Sequence, residues 1–203
     1  MTKQQLPGLS KLVNLLQQAN ELRSRGEYQA ALEIYFNALH QFGESVELLA
    51  MIASCYFHLS KYYEAVFFIE KALRIAPDDA RLHAALGEYH ALGTLEVELA
   101  AEEYRKAIEL NPNYAAALAD AAILLGDLPE EVVTMAEAIS WLERATQIEP
   151  DNPNYHFSLG EMYWEAGRVA EAEHEWIRAL LCPRPLHPNN AETIRKRLST
   201  DSD

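Results

Sequence analysis

Apolar residues along this chain recur with the spacing of an α-helix. Between residues 46 and 79 there are two stripes, separated by a polar break at 58–61: Leu49, Ile52, Ala53 and Tyr56, then Ala65, Phe68, Ile69, Ala72 and Leu73. Spacing at i, i+3, i+4 and i+7 places each stripe on one face of an amphipathic helix. The pattern therefore predicts two helices joined by a short turn.

The same helix-pair pattern returns at a nearly constant interval. Each copy ends an apolar stripe with a proline and small polar residues, and the prolines Pro77, Pro112, Pro150 and Pro183 follow one another after 35, 38 and 33 residues. Because proline cannot continue a helix, each copy marks a helix end and a turn. The pattern predicts five units of about 34 residues each.

We place the five units at about 12–45, 46–79, 80–114, 115–152 and 153–186. Residues 1–11 form an N-terminal segment, and residues 200–203 are expected to be a disordered tail. Between them, 187–199 is predicted to be an amphipathic capping helix with Arg195, Lys196 and Arg197 facing outward.

Small residues recur where two helices of a unit would come close. They are Ala19, Ala53, Gly87, Ala122 and Gly160 in the first helices, and Ala31, Ala65, Ala100, Ala138 and Ala172 in the second. A larger side chain there would push apart helix axes that otherwise pack at about 8–10 Å.

The order of residue types within a unit resembles the tetratricopeptide repeat family. Two units carry the resemblance best: Leu86-Gly87 with Ala100, Tyr104, Ala107 and Pro112, and Leu159-Gly160 with Tyr163, Gly167, Ala172, Trp176 and Ala179. The first unit departs most, with Gly43 in place of the terminal proline. The resemblance implies an all-α fold, a right-handed α-solenoid of antiparallel helix pairs, and a concave wall lined by the first helix of each unit.

The fourth unit is about four residues longer than its neighbours, within 126–135. A neutral change of loop length is the favoured interpretation. The alternative is a projecting edge that selects a partner. Because four residues are close to one helical turn, the second helix is expected to begin one turn early, with Pro129 at its first position and Glu130 and Glu131 at the positive end of its dipole.

The chain is strongly acidic, with 31 Asp and Glu against 17 Lys and Arg and a net charge of −14. Binding to phosphate backbones or anionic lipid depends on clustered basic residues, so we expect neither nucleic acid nor membrane as a partner. Half of the charge, −7, falls in residues 115–152. The acidity favours partners that are apolar and have basic character.

The cellular compartment is predicted to be the cytoplasm. No secretory apolar segment occurs in the first thirty residues, and no run approaches the roughly 18 apolar residues of a membrane-spanning helix. Cys55 and Cys182 are 127 positions apart and match no disulfide framework or zinc spacing.

Motifs for catalysis are missing from the sequence. There is no GxxxxGK[ST], GxGxxG or GxSxG, and the zinc-peptidase-like start at His174-Glu175 places Arg178 where the second ligand is needed. His83 and His90 share a helix face but have no third ligand, and packing histidines are the favoured interpretation. We expect no enzyme activity, no metal and no cofactor.

The predicted function is that of a scaffold or adaptor, which binds a peptide or helix of a partner protein in the concave groove. First-helix side chains that avoid the packing stripe would line it: Leu16, Asn20, Arg23, Glu47, Met51, Ser54, Phe57, His58, Arg81, Glu88, Asp120, Ile123, Phe157, Glu161 and Trp164. Met51, Phe57, Phe157 and Trp164 are the expected anchors. For Phe57 and Phe157, packing between units is an equally weighted alternative.

One branch of the family captures acidic C-terminal peptides with a carboxylate clamp. The corresponding positions here are Leu16, Asn20, Met51, Arg81 and Ala85, of which Asn20 and Arg81 alone are compatible. We therefore predict that this chain does not bind such tails.

Two further functions stay open from the sequence. The first is self-assembly, in which the basic capping helix of one copy docks on the acidic fourth unit of another and forms a homo-oligomer. The second is a chaperone for secretion or complex assembly, resembling small acidic repeat chaperones of bacteria.

Overall fold

A computed structural model describes residues 5–125 and 133–200, and in these residues every regular element is helical. The helices are α1 (Gln5–Ser24), α2 (Tyr28–Phe42), α3 (Val46–His58), α4 (Tyr62–Ile75), α5 (Ala80–Glu88), α6 (Val97–Leu110), α7 (Ala115–Leu125), α8 (Met135–Ile148), α9 (Pro153–Glu165), α10 (Val169–Leu181) and α11 (Pro188–Thr200). A π-helical turn, Tyr89–Thr94, continues α5. The predicted all-α fold of successive helix pairs is confirmed.

The helices end where the repeated turn motif predicts. α4, α6 and α8 each stop two residues before Pro77, Pro112 and Pro150. After Pro77 and Pro150, polar side chains cap the next helix start: an Asp79 carboxylate oxygen accepts a hydrogen bond from the Arg81 amide at 2.9 Å, and the Asn152 side-chain oxygen accepts one from the Asn154 amide at 3.2 Å. Short turns join the contacting helices α1 and α2, α3 and α4, and α9 and α10, so the two members of each of these pairs are antiparallel.

The chain forms two compact units, Met1–Glu96 and Val97–Asp203. The boundary falls inside the third predicted repeat, between the π-helical turn and α6. α1 begins at Gln5, ahead of the residue 12 at which the first repeat was expected to start.

The first unit has two apolar clusters, and α3 contributes to both. One contains Leu48, Ile52 and Cys55 of α3 together with residues of α1 and α2. The other contains Leu49 and Ala53 of α3 together with residues of α4, α5 and the π-helical turn. The predicted close-packing alanines Ala19, Ala31, Ala53 and Ala65 are all fully buried. α3 is thus buried on two sides, which neither helix pair could achieve alone.

The π-helical turn is a local feature that the apolar pattern does not predict. Gly93 lies against the Tyr62 ring, where an added Cβ would come within 2.8 Å of ring carbons. Leu95 then takes a left-handed conformation with φ of 62°. The His90 Nδ1 lies 3.1 Å from the Thr94 hydroxyl and 3.0 Å from a Glu96 carboxylate oxygen, so this histidine ties the turn to the following loop.

The second unit runs from α6 to α11, and a buried histidine anchors one of its turns. The His156 ring is fully buried, with Nδ1 2.6 Å from a Glu175 oxygen and Nε2 2.9 Å from the Pro150 carbonyl oxygen. In the first unit, His83 Nε2 lies 2.8 Å from the Pro77 carbonyl oxygen. Two of the turn prolines, Pro77 and Pro150, therefore have a histidine partner, in line with the packing interpretation of His83.

Two sequence predictions fall partly outside the described residues. The long turn, including Pro129, Glu130 and Glu131, lies largely within 126–132, and α8 begins only at Met135. Residues 201–203 of the tail are likewise not described. Among the described helices, none has the length and apolar character needed to cross a membrane.

Gly160→Ala is expected to destabilise the protein. A Cβ at position 160 would overlap the indole of Trp176, which is fully buried and has little room to move. The same substitution at an open helix position would stabilise by about 1 kcal/mol, whereas overpacking here should cost about 1–3 kcal/mol. Urea unfolding measures the difference. In a Trp176→Phe background the cost should shrink, and an equal cost in both backgrounds would contradict the proposed clash.

Candidate groove in the first unit

A cavity of about 320 Å³ opens in the first unit, between α3 and α5. Its lining comes from α1, α3, α4, α5 and the π-helical turn: Arg23, Val46, Glu47, Ala50, Met51, Ser54, Ile69, Arg81, Leu82, Ala85 and Tyr89. Most of these side chains are apolar or small. The short side chains of Ala50, Ser54 and Ala85 leave the space that larger residues would fill.

Five of the residues predicted to line the groove meet in this cavity: Arg23, Glu47, Met51, Ser54 and Arg81. They come together because Glu47, Met51 and Ser54 lie on one face of α3, with α1 and α5 on either side. Leu16 and Asn20 line a separate, shallower depression along α1 with Val13, Gln17, Glu21 and Ser24.

Several lining residues were missed by the sequence analysis. Ile69, Leu82 and Tyr89 were missed because their apolar character is typical of packing positions. In the structure all three pack in the core and also line the cavity. Val46 and Ala50 share a helix face with Ser54 at intervals of four residues. Extending the α3 register back from Ser54 by one turn and then by two would have found Ala50 and Val46.

Charges at the cavity come from two arginines and one glutamate. Arg81 is paired with Asp79, at 2.6 Å between Nη2 and Oδ2, and this pairing lowers the pKa of the Asp79 carboxyl. Glu47 is exposed. Arg23 is half-buried, and its buried Nε donates to no atom of the described residues.

Neutral groups surround Arg23. Burial raises the pKa of the Cys55 thiol to about 11 and also raises the pKa of the Tyr35 and Tyr89 hydroxyls. Arg23 offsets part of each rise because its charge favours the anionic form, and for Tyr35 a side-chain hydrogen bond from Arg23 adds to this effect. The Tyr35 hydroxyl donates to the Asn20 side-chain oxygen at 2.6 Å. Near neutral pH these three side chains carry no charge.

Phe57 and His58 are engaged with neighbouring aromatic rings. Phe57 stacks on Tyr89, with ring centroids 4.7 Å apart and an angle of 21°, and it also contacts Tyr62. His58 stacks on Tyr28 at 4.6 Å. Neither residue lines the cavity. The structure thus places Phe57 in the packing role that was weighed as its alternative.

Glu88 follows Ala85 by one turn and is half-buried outside the cavity lining. Burial raises the pKa of its carboxyl because the charged form is poorly solvated there.

In the second unit, the predicted groove residues have varied surroundings. Asp120 and Ile123 are exposed on α7, and Phe157 is half-buried on α9. Glu161 and Trp164 are contacted by Arg197 of α11. Arg197 Nη1 donates to the Glu161 carboxylate at 2.6 Å, and the guanidinium lies 5.5 Å from the Trp164 ring and 5.0 Å from the Trp176 ring.

The outward orientation expected for Arg197 is therefore wrong. A carboxylate and two indole faces offer this guanidinium an ion pair and cation–π contacts that solvent does not. Lys196 pairs within α11 with Glu192 at 2.8 Å. Docking of this helix on another copy stays a prediction, and two of its basic side chains, Lys196 and Arg197, already have partners in their own chain.

Comparison with known proteins agrees with these helix pairs. Tetratricopeptide repeat models match residues 22–89 and 135–167. The chain belongs to the tetratricopeptide repeat (TPR) family. This fold serves as a scaffold for protein–protein interactions and is generally non-catalytic. Among the described residues, no group of three or more His, Cys, Asp or Glu side chains is placed to hold a metal ion.

A curated relative is the probable UDP-N-acetylglucosamine–peptide N-acetylglucosaminyltransferase SPINDLY of Hordeum vulgare. It is 30% identical over 187 residues, which are 91% of this chain, and the chain spans 19% of its length.

Two solved TPR structures resemble this chain over most of its length. TTC0263, a TPR protein of Thermus thermophilus, is 22% identical with a TM-score of 0.67, over 93% of this chain and 97% of that one. YrrB, described as a TPR protein with an unusual peptide-binding site, is 24% identical with a TM-score of 0.64, over 90% of both chains. At this identity the likeness shows the fold alone.

Phe57→Ala should lower the free energy of unfolding by about 2 kcal/mol, because it removes ring stacking on Tyr89 and leaves a partly filled void. Phe67→Ala is the matched control, since Phe67 is 53% exposed on α4, and it should change stability by less than about 1 kcal/mol. Urea denaturation followed by circular dichroism compares the two. Equal costs would contradict the packing role of Phe57.

Glu161 and Arg197 should be energetically coupled. A double-mutant cycle with Glu161→Gln and Arg197→Gln is expected to give a coupling of about 1 kcal/mol, since both side chains are mostly shielded from solvent. The coupling should weaken with added salt. Additive single-mutant effects would show that α11 is held by its apolar side chains alone.

Proposed function

We propose that this TPR chain is a non-enzymatic adaptor that holds a short segment of a partner protein in the cavity of the first unit. The observation that carries the proposal is the cavity itself, which opens between α3 and α5 and is lined mostly by small and apolar side chains. Such a surface offers an anchor pocket to a side chain that projects from an extended or helical segment.

The size of the cavity favours a protein segment over a free small molecule. Sites for drug-sized ligands hold about 300–1,000 Å³, and this cavity of about 320 Å³ lies at the lower limit and is open to solvent. One large apolar side chain would fit within it. The depression along α1, with Leu16 and Asn20, gives the segment a further surface to contact within the same unit.

Charge would act mainly on the approach of the partner. The net charge is −3 for residues 1–96 and −11 for 97–203, so a partner with basic surroundings would be attracted at long range. We also propose the cytoplasm as the compartment, because Cys55 and Cys182 are both free. Homo-oligomerisation stays a secondary prediction.

A cavity-filled variant tests the proposal. We define it as Ala50→Leu with Ala85→Leu, since both alanines line the cavity and leucine keeps the helix propensity high. Partner segments are first captured from the native host with the wild-type chain and mapped, and their affinity is then measured by calorimetry. The cavity-filled variant should bind at least about tenfold more weakly.

Phe67→Ala serves as the control for the capture experiment, because Phe67 is exposed on α4 and does not line the cavity. It should bind as the wild type does. Undiminished binding by a folded cavity-filled variant would place the binding site elsewhere.

A further inference from the structure

Arg23 differs from the arginines of this chain that form an ion pair with a carboxylate. Arg81, Arg105, Arg168 and Arg197 each form an ion pair with Asp79, Glu137, Glu171 and Glu161, respectively. Within the described residues, no carboxylate lies within ion-pair distance of Arg23. Its Nε is buried and donates no hydrogen bond to them, and the residue lines the cavity.

The absence of a carboxylate near Arg23 among the described residues is unusual because the neighbouring side chains are also neutral. The guanidinium is half-buried beside Tyr35, Cys55 and Tyr89, which are neutral near neutral pH. A phenol oxygen can accept a hydrogen bond but does not balance a charge. A partly desolvated guanidinium without an anion is costly, and a carboxylate arriving from the cavity side would offset that cost.

We propose that the bound partner segment carries an internal Asp or Glu whose carboxylate pairs with Arg23, next to an apolar side chain that enters the cavity beside Ala50 and Ala85. This inference rests on the proposed function and adds the chemistry of the occupant. A guanidinium fork and a carboxylate can form two parallel hydrogen bonds, which fixes the register of the segment as well as its affinity.

The cavity suits a side-chain carboxylate within the partner segment better than the C-terminal carboxylate of a peptide. Capture of a C-terminal carboxylate by the family's clamp needs several converging polar side chains, and Leu16, Met51 and Ala85 occupy three of those positions here. Arg23 is not one of the clamp positions. A single guanidinium beside an apolar cavity matches one acidic side chain beside one apolar side chain.

The net negative charge of the chain and the positive charge of Arg23 act over different distances. Long-range attraction of a basic partner depends on the net charge of −14, whereas the contact at the cavity depends on the groups that line it. Glu47 is exposed at this site, where water screens its charge, while the Arg23 Nε is buried. The local preference is therefore for an anion.

The test uses the full chain and a defined peptide set. Each fluorescein-labelled, C-terminally amidated dodecapeptide has a Gly-Ser background with one Leu or Phe and, one to four residues away, one Glu, Gln or Lys. Fluorescence anisotropy gives the dissociation constants. For at least one spacing, the wild type should prefer Glu over Gln and over Lys by about tenfold, the size expected for a charge-assisted hydrogen-bonded pair.

Variants at position 23 test whether Arg23 causes the preference for the Glu peptide. Arg23→Gln should bring the Glu-to-Gln ratio close to one while weak binding of the apolar residue persists. Arg23→Lys, which keeps the charge but not the fork, should give an intermediate ratio. Arg25→Gln is the matched control, since Arg25 is exposed just beyond the end of α1 and outside the cavity, and it should keep the wild-type ratio.

The outcomes separate this inference from the proposed function. If the cavity-filled variant loses binding but Arg23→Gln keeps the preference for Glu, the proposed carboxylate pairing is wrong, while the proposed binding in the cavity is supported. If the cavity-filled variant binds as the wild type does, the groove itself is wrong. A wild type that prefers Lys, or that binds no peptide of the set, also overturns the pairing.

Discussion

The two-sided burial of α3 is the constraint on which the first unit depends. Leu48 and Ile52 face α1 and α2, while Leu49 and Ala53 face α4 and α5, so one short helix belongs to two apolar clusters. Fully buried alanines at positions 19, 31, 53 and 65 allow the helices to approach closely enough for this. Each helix pair is therefore stable only when its neighbour covers it.

The groove follows from the same constraint. A helix that packs on two sides has one remaining face, and on α3 that face holds Glu47, Ala50, Met51 and Ser54. These residues are exposed or only partly buried, with Met51 and Ala50 at the edges of the two clusters, so the core constrains their size and charge less than it constrains Leu48 or Ile52. α7 in the second unit is a comparable case, since Ala117, Leu118 and Ala121 are buried while Asp120 between them is exposed.

The repeated features of this fold could be predicted from the sequence, and the local exceptions could not. Helical spacing and the turn prolines predicted the helix pairs, because core burial and helix termination act in the same way in every repeat. From the sequence, Phe57 stayed undecided between binding and packing and Arg197 was expected to face outward, because their partners, Tyr89 and the Trp164–Trp176 pair, lie in an irregular turn or far away in the sequence. Contacts between individual side chains do not recur with the repeat, so the periodic pattern of the sequence does not reveal them.

Site-specific photo-crosslinking tests the central claim most directly. Benzoylphenylalanine placed at position 51, in the cavity, or at position 67, on the exposed side of α4, is irradiated in the full chain with a bound peptide. If the peptide occupies the cavity, strong crosslinking is expected at position 51, competed by unlabelled peptide, and only background at position 67. Crosslinking at 67 with none at 51 would contradict binding in the cavity.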